Sequence, residues 1–457
     1  MRASVAVEKL GLPTVSVVCD GFALQAEFIA AGLGLSNLSV AEYPGHINLH
    51  STEELERNIV AVVIDQVIEG LTVLSEESNL SLEPGSRDVV FKGTFDEVNR
   101  FFYDKEWSDG LPIVPPAIDR VEEFLRWTDR SADEVIAVLL PDKREATIWN
   151  IAVNGVMAGC RPEYMPVLVA LVEALADPKF GHEHLGHTPG TEVLITLNGP
   201  IIKDLGFNYE QGALRAGFQA NTTIGRFWRL YLRNVAGFLP HKTDKATYGG
   251  TWRVVLAENE DALAKIGWPP MSVDQGFKAG DNIVTVNSCT STISLPSIGG
   301  PLVEEILDRL AKSLVDIQLN IFGVCFHGIG VRPQILISPC IAEAIARGGY
   351  SKEAVKEYVY EHARFPAKLF ELQRPNLGSL CEAVAQGKLP EQFCESTDPD
   401  RLVPIIWSPG DLMITVSGDP GRDNGLICAQ NGFIGYPVSK RIALPARWTY
   451  RTGTGPT

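Results

Sequence analysis

The sequence predicts an α/β protein, built from an incomplete parallel α/β unit followed by a large, layered α+β domain. Three observations lead there. Short β-branched runs alternate with helical segments over the first 75 residues. Only two such runs occur there, too few to cover two layers of helices. The whole chain, at 457 residues, is longer than one hydrophobic core usually supports.

The first run, Thr14-Val15-Ser16-Val17-Val18-Cys19, has the apolar texture of a strand buried in a parallel sheet. Asp20-Gly21 ends it, and 22–33 has helical periodicity. Leu38 to Tyr43 is a second strand, closed by Pro44-Gly45. A long amphipathic helix follows over 52–75, opened by Thr52-Glu53-Glu54. This unit, 1–75, needs strands from the later domain or from another polypeptide, and the second source is favoured. Residues 76–92 are polar and turn-rich, as a linker would be.

From 93 to 457 helices and strands mix. Expected helices are 95–104, 119–127, 131–139, 147–158, 162–176, 222–236, 301–316, 340–347 and 351–363. Expected strands are 192–197, 252–257, 282–287, 318–325, 334–338 and 411–417. Helix 162–176 followed by strand 192–197 is echoed by helix 301–316 followed by strand 334–338. Each of these strands ends in a polar residue and a proline. Two related βα modules would produce that echo.

Composition narrows the function. Hydrophobic residues make up 45% and the net charge is −16, which argues against a nucleic-acid surface. A small anionic substrate needs only a local basic pocket. No apolar run reaches the length that spans a bilayer, and the start lacks the apolar core of a signal peptide. Eight scattered cysteines without a CxxC pair suit reduced thiols, so the expected location is the cytoplasm.

Several stretches could carry chemistry. In the helix after Asn221-Thr222-Thr223, Arg226, Arg229 and Arg233 gather opposite an apolar face, and Asn221 or Thr222 can cap the first turn. That makes an anion clamp for a small-molecule substrate, with Asn221 and Asn198 beside it, or a solvated, acid-paired face. Cys160, between Gly159 and Arg161-Pro162, stands before a helix N-terminus where a thiol pKa can fall. Equally it can be a small residue packed in a tight corner. His182, His184 and His187 lie within six residues and could hold a metal ion. No matching Cys or acidic ligand motif accompanies them, so no cofactor is named beyond that option.

Asp109, in the proline-bounded loop Trp107 to Pro116, is either a fixed acid or base or an Asx-turn residue. Cys325 and His327 follow a strand and could pair as thiolate and imidazole, or be buried and inert. The loop Ser417 to Gly425 is glycine-rich but lacks a nucleotide-binding fingerprint.

Residues 8–75 resemble the later half of the UGSC-type domain, a family named for a selenocysteine-or-cysteine, Gly, Ser, Cys motif. The matching residues run from Leu10-Gly11-Leu12-Pro13-Thr14-Val15 through Val18-Cys19-Asp20 and Phe22-Ala23 to Ala30-Ala31-Gly32-Leu33-Gly34-Leu35. In that family the motif lies upstream of this stretch, and no Cys-Gly-Ser-Cys occurs anywhere in this chain. Residues 90–446 look like the larger region sometimes fused behind such domains, on Ser108-Asp109-Gly110-Leu111-Pro112, Met157 to Tyr164, Asn198-Gly199-Pro200, Thr223-Ile224-Gly225-Arg226 and Leu232-Arg233-Asn234-Val235. The resemblance implies a small partner subunit carrying the Cys-Gly-Ser-Cys-type motif. The expectation is an enzyme subunit acting on a small anionic organic substrate, with thiol-dependent redox, lyase or hydratase chemistry at that interface. Its catalytic residues would be Cys160, Asp109 and His327. A non-catalytic scaffold and a histidine-ligated metalloenzyme are the alternatives; no membrane is expected.

Overall fold

The computed structural model describes residues 2–32, 35, 38–72, 85, 87–250, 254–320, 330–373, 378–431 and 434–449. The chain opens with α1 (Arg2–Glu8), β1 (Val15–Cys19), α2 (Ala23–Gly32), β2 (Ser39–Tyr43), α3 (Thr52–Asn58) and α4 (Ile64–Thr72). Ser51 and Glu54 form a capping box at the start of α3. One π turn, Ile59–Val63, joins α3 to α4, so the long helix expected there is kept with a single widened turn. β1 and β2 pair in parallel as a two-stranded sheet with no third strand among the described residues. Its buried clusters are small: Val5, Ala30 and Leu38 in one, Ala41, Tyr43 and Val63 in the other. Val17, Val60 and Ile68 are each more than half exposed.

The body then runs through α5 (Phe95–Asp104), α6 (Ile118–Leu125), β3 (Val135–Leu139), β4 (Arg144–Thr147), α7 (Ile148–Ala158) and α8 (Met165–Ala176). Next come β5 (Glu192–Asn198), α9 (Ile201–Asp204), α10 (Gln219–Tyr231), β6 (Val255–Ala257), α11 (Glu260–Ile266), α12 (Met271–Asp274) and β7 (Ile283–Leu295). The last part holds α13 (Val303–Asn320), β8 (Gln334–Ile337), α14 (Pro339–Arg347), α15 (Lys352–His362), β9 (Arg364–Pro366), α16 (Ala367–Gln373) and α17 (Leu380–Ala385). It closes with β10 (Leu402–Pro404), β11 (Met413–Val416), β12 (Gly425–Gln430) and β13 (Val438–Arg441). Among the described residues no helix is long and apolar enough to cross a membrane.

Seven strands form one curled sheet in the order β6-β5-β7-β12-β8-β11, with β13 beside β7. The order has the same form read from either end. β5 pairs in parallel with β6 and antiparallel with β7; β8 pairs in parallel with β11 and antiparallel with β12. The central rung is β7 against β12. Curling brings the two outer strands together. Ser417 Oγ donates to the Ala257 carbonyl at 2.9 Å, and Asn259 N–H donates to the Val416 carbonyl at 2.8 Å.

Alternation of side chains sorts the two faces. Val193, Ile195 and Leu197 of β5 pack on α7, α8 and α10 in one core, while Ile335 and Ile337 of β8 pack with α13 and α15 in a second. The inner face combines a third apolar cluster, with Leu194, Leu256 and Leu336, and buried polar groups: Gln334 Nε2 donates to Thr196 Oγ1 at 3.0 Å and Thr415 Oγ1 at 2.8 Å. Glu258, at the end of β6, accepts from Asn198 Nδ2 at 2.6 Å, Met271 N–H at 2.7 Å and Val416 N–H at 3.2 Å.

Several expectations need correction. The segment 131–139 is not a helix; 135–139 is β3, hairpinned onto β4, because Val135-Ile136 and Val138 form a β-branched edge. The strand expected over 318–325 does not start at 318. α13 continues to Asn320, with the Gln318 side chain bonded to both backbone groups of Gln430, and 321–325 lie outside the described residues. Strands β12 and β13 were not foreseen. Cys381 and Cys394 are joined in a disulfide with Cα atoms 4.9 Å apart, against the expectation of reduced thiols throughout.

Candidate functional site

The site is a cleft of about 730 Å³ between residues 87–93, α5, α7 and the end of α10. Its inner wall comes from α7, started by a capping box between Thr147 and Asn150 and ended by Gly159 at φ +80°. This helix is apolar almost all round, with Asn150 and Asn154 one turn apart as the exceptions. Trp149, Val153 and Met157 give the cleft an apolar wall, and Phe102 and Trp107 face it. Trp107 is held edge-on to Phe102 and Phe101, with centroids 5.5 and 5.8 Å apart.

Residues 87–92, expected to be part of a linker, form the outer side. Arg87 pairs with Asp133 at 2.7 Å and lies over the Trp149 ring at 4.9 Å, while Phe91 stacks on Phe101 at 4.7 Å. Such a strap is pinned at both ends by side chains that themselves line or neighbour the cleft.

Polar groups converge at the inner end. α10 passes at Leu232 into one π turn, Leu232–Ala236, ended by Gly237 at φ +89°. That widened turn carries Asn234, whose Nδ2 donates to the Trp107 carbonyl at 3.1 Å and to Asn154 Oδ1 at 2.8 Å. Both partners are acceptors, so the amide orientation is fixed and Oδ1 is left as an acceptor; it is buried without a hydrogen-bond partner. Arg144 donates to the Asn234 carbonyl at 3.3 Å and neighbours Asp142 at 3.4 Å. Lys92 and Arg87 also line the cleft, and so do Asp88 and Asp119. Neither cysteine nor histidine is among the described lining residues.

The residues singled out in the sequence do not assemble this site. Arg226 forms a two-pronged ion pair with Asp109, Nε–Oδ2 3.1 Å and Nη2–Oδ1 2.8 Å, and also holds the Pro112 carbonyl at 3.0 Å. Asp109 is therefore committed to shaping its loop and is not an available acid or base. Arg229 faces Glu192 at 3.4 Å and Asp244 at 3.9 Å. Arg233 donates to the Glu106 carbonyl, and burial lowers its pKa. The three arginines are spent inside the chain and form no open anion clamp. The ideal 100° step that aligned Arg233 with the others also fails where the π turn begins.

Asn221 does not cap a helix. α10 starts at Gln219, and Asn221 bonds to Asn208 and to the Val255 carbonyl. Asn198 donates to Glu258 and, at 3.1 Å, to Glu260 at the edge of the curled sheet, away from the cleft's lining. Cys160 is buried, and burial pushes its thiol up to about 12, the reverse of an activated nucleophile. His182 Nε2 accepts from the Leu140 N–H at 3.1 Å, and Glu183 stands between the two rings, 4.0 Å from His182 Nδ1 and 3.9 Å from His184 Nε2. His187 Nε2 meets Thr191 Oγ1 at 2.8 Å and Asn431 Nδ2 at 2.7 Å, and burial lowers its pKa to about 4. Among the described residues no three His, Cys, Asp or Glu side chains come together to hold a metal ion, which removes the basis for the metal option. Cys325 and His327 lie outside the described residues.

No curated protein and no solved structure matches the chain. Residues 1–73, the unit with the two-stranded parallel sheet, match the model of the UGSC family, so the chain carries a UGSC-type unit fused to a larger body.

Proposed function

We propose that this chain is the substrate-binding subunit of an enzyme acting on a small anionic organic molecule. In this reading a small partner chain with a Cys-Gly-Ser-Cys-type motif adds strands beside β1 and β2 and supplies the thiol. The observation that carries the reading is a division of labour. The cleft has three cationic side chains against two acidic ones, Asp88 and Asp119, with amide groups and apolar walls but no thiol or imidazole among its described residues, while the UGSC-type unit leaves apolar surface open at Val17, Val60 and Ile68. The two parts also meet. Lys245 Nζ donates to the Gly21 carbonyl at 2.9 Å and lies 5.7 Å over the Phe22 ring, and Gln25 Nε2 donates to the Thr243 carbonyl at 3.4 Å.

Co-expression with such a small chain tests the reading. The two should co-elute from a sizing column, and Val60→Asp should abolish the complex without lowering the melting temperature of the body. A polypeptide that stays alone, with residues 2–72 fully protected from protease, would overturn it. Small carboxylates should raise the melting temperature of the complex, and Arg144→Ala should remove that rise.

A further inference from the structure

We infer that the open edge of β1, and not that of β2, takes an extended strand from a basic partner chain, seated beside an apolar flank of α4. The inference rests on the partner-chain reading above and adds the edge, the seat and the sign of the charge. In a parallel pair alternate residues of each strand turn their backbone groups toward the neighbour, and the residues between turn theirs away. Asp20 N–H donates to the Tyr43 carbonyl at 2.8 Å, which sets the phase: Ser16 and Val18 address β2, while Val15, Val17 and Cys19 point outward. On β2 the outward groups belong to Val40 and Glu42. The two edges differ in what covers them. At Glu42 the Gln66 side chain of α4 acts as a substitute strand: its Oε1 accepts from the Glu42 N–H at 2.8 Å and its Nε2 donates to the Glu42 carbonyl at 3.3 Å. Among the described residues nothing bonds the backbone of Val17 in this way, and Val17 is 54% exposed.

α4 supplies the seat. Val63 and Val67 pack with Ala41 and Tyr43 on the sheet, and the Gly70 carbonyl accepts from Ser39 Oγ at 3.0 Å, so these three residues mark the inner line of the helix. At about 100° per residue Gln66 falls on the flank over the β2 edge, and Ile64, Ile68 and Leu71 fall on the opposite flank, toward β1. Those three are 42, 55 and 43% exposed. Val17 points to the same face, since it stands opposite Ala41 in the ladder. An unpaired strand edge with an apolar ledge above it is what an added strand fits. Charge names the occupant. Residues 1–72 hold nine acidic side chains against three basic ones, so a second copy is repelled and a basic strand is attracted.

Two short peptides of one apolar pattern test this in the full chain: Lys-Val-Lys-Val-Thr-Ile-Lys-Val-Lys-Val and its counterpart with Glu for Lys. The lysine peptide should bind about tenfold more tightly or better, and amide-resolved hydrogen exchange should show Val17 and Cys19 protected by it. Val17→Pro removes an N–H that the β1–β2 ladder does not use. It should weaken binding about tenfold or more at an unchanged melting temperature, and Ile68→Lys should do the same from the helix flank. Gln66→Ala should uncover the second edge and add protection at Val40 and Glu42. Protection at Val40 and Glu42 in the unaltered chain, equal binding of the two peptides, or binding of neither overturns the inference. So does a concentration-dependent dimer that protects Val17, which gives the edge to a second copy. A Cys-Gly-Ser-Cys chain that co-elutes while Val17 and Cys19 still exchange freely overturns the edge and leaves the reading above intact. Peptide bound at β1 with no such chain co-eluting supports the edge and removes the partner named above.

Discussion

Arg226 and Asp109 are bound to each other. Both side chains are largely buried, their contact is two-pronged, and the same guanidinium holds two carbonyls of the loop after Asp109. Removing one partner leaves the other charge buried and unpaired, so Arg226→Ala should destabilise the protein by about 3–5 kcal/mol in urea unfolding. A cost below about 1 kcal/mol would show the pair to be dispensable. His187 offers a second residue-scale test. Its folded pKa of about 4 lies below its ordinary value of 6.5, so the unfolded chain takes up the proton first. Stability held above pH 6.5 should fall as the pH drops toward 4, by up to about 3 kcal/mol. His187→Gln should flatten that part of the pH–stability curve. The basic helix was legible as basic in the sequence, but its counter-charges come from positions 106–109, 192 and 244, which no local pattern links to it.

At the scale of elements, buried strands announced themselves and half-exposed ones did not. Val193-Leu194-Ile195, Ile335-Leu336-Ile337 and Met413-Ile414-Thr415-Val416 are runs buried on both faces, and each was expected at its place. β3 and β13 lie at sheet edges with mixed exposure, and their short patterns resemble helix or loop as much as strand. The cleft had one readable trace, the Asn150 and Asn154 pair on an otherwise apolar helix. Asn234 had none, since the π turn that aims it leaves no mark in composition. The turn after β5 gives a prediction of its own. Gly199 has φ +97°, and a Cβ there would stand 2.4 Å from the Asp281 carbonyl oxygen. Gly199→Ala combines backbone strain with a clash against backbone, so it should cost about 3 kcal/mol or more. Denaturant titration showing a cost near zero would contradict that geometry.

For the whole molecule, the contrast lies between a thinly packed amino-terminal unit and a body with two large cores. Among the described residues the unit buries two clusters of three residues each, against two large hydrophobic cores in the body. Hydrogen exchange followed by mass spectrometry should therefore show β1 and β2 exchanging well ahead of β5 and β7 in the isolated chain. Equal protection would mean that the unit needs no further strands. The paired strands β1 and β2 were legible in the early residues; the curling was not, because contacts such as Ser417 with Ala257 span 160 residues.

The palindromic strand order has an evident corollary for how the chain can be cut. β5, β6 and β7 precede residue 296, and β8, β11 and β12 follow residue 302. The intervening stretch crosses exposed Gly300, Pro301 and Leu302. Severing the backbone there would leave three strands of the sheet in the earlier piece and four in the later one, with β13 of the later piece laid along β7 of the earlier one as a clasp. Such fragments should find each other again as two subunits of a dimer do.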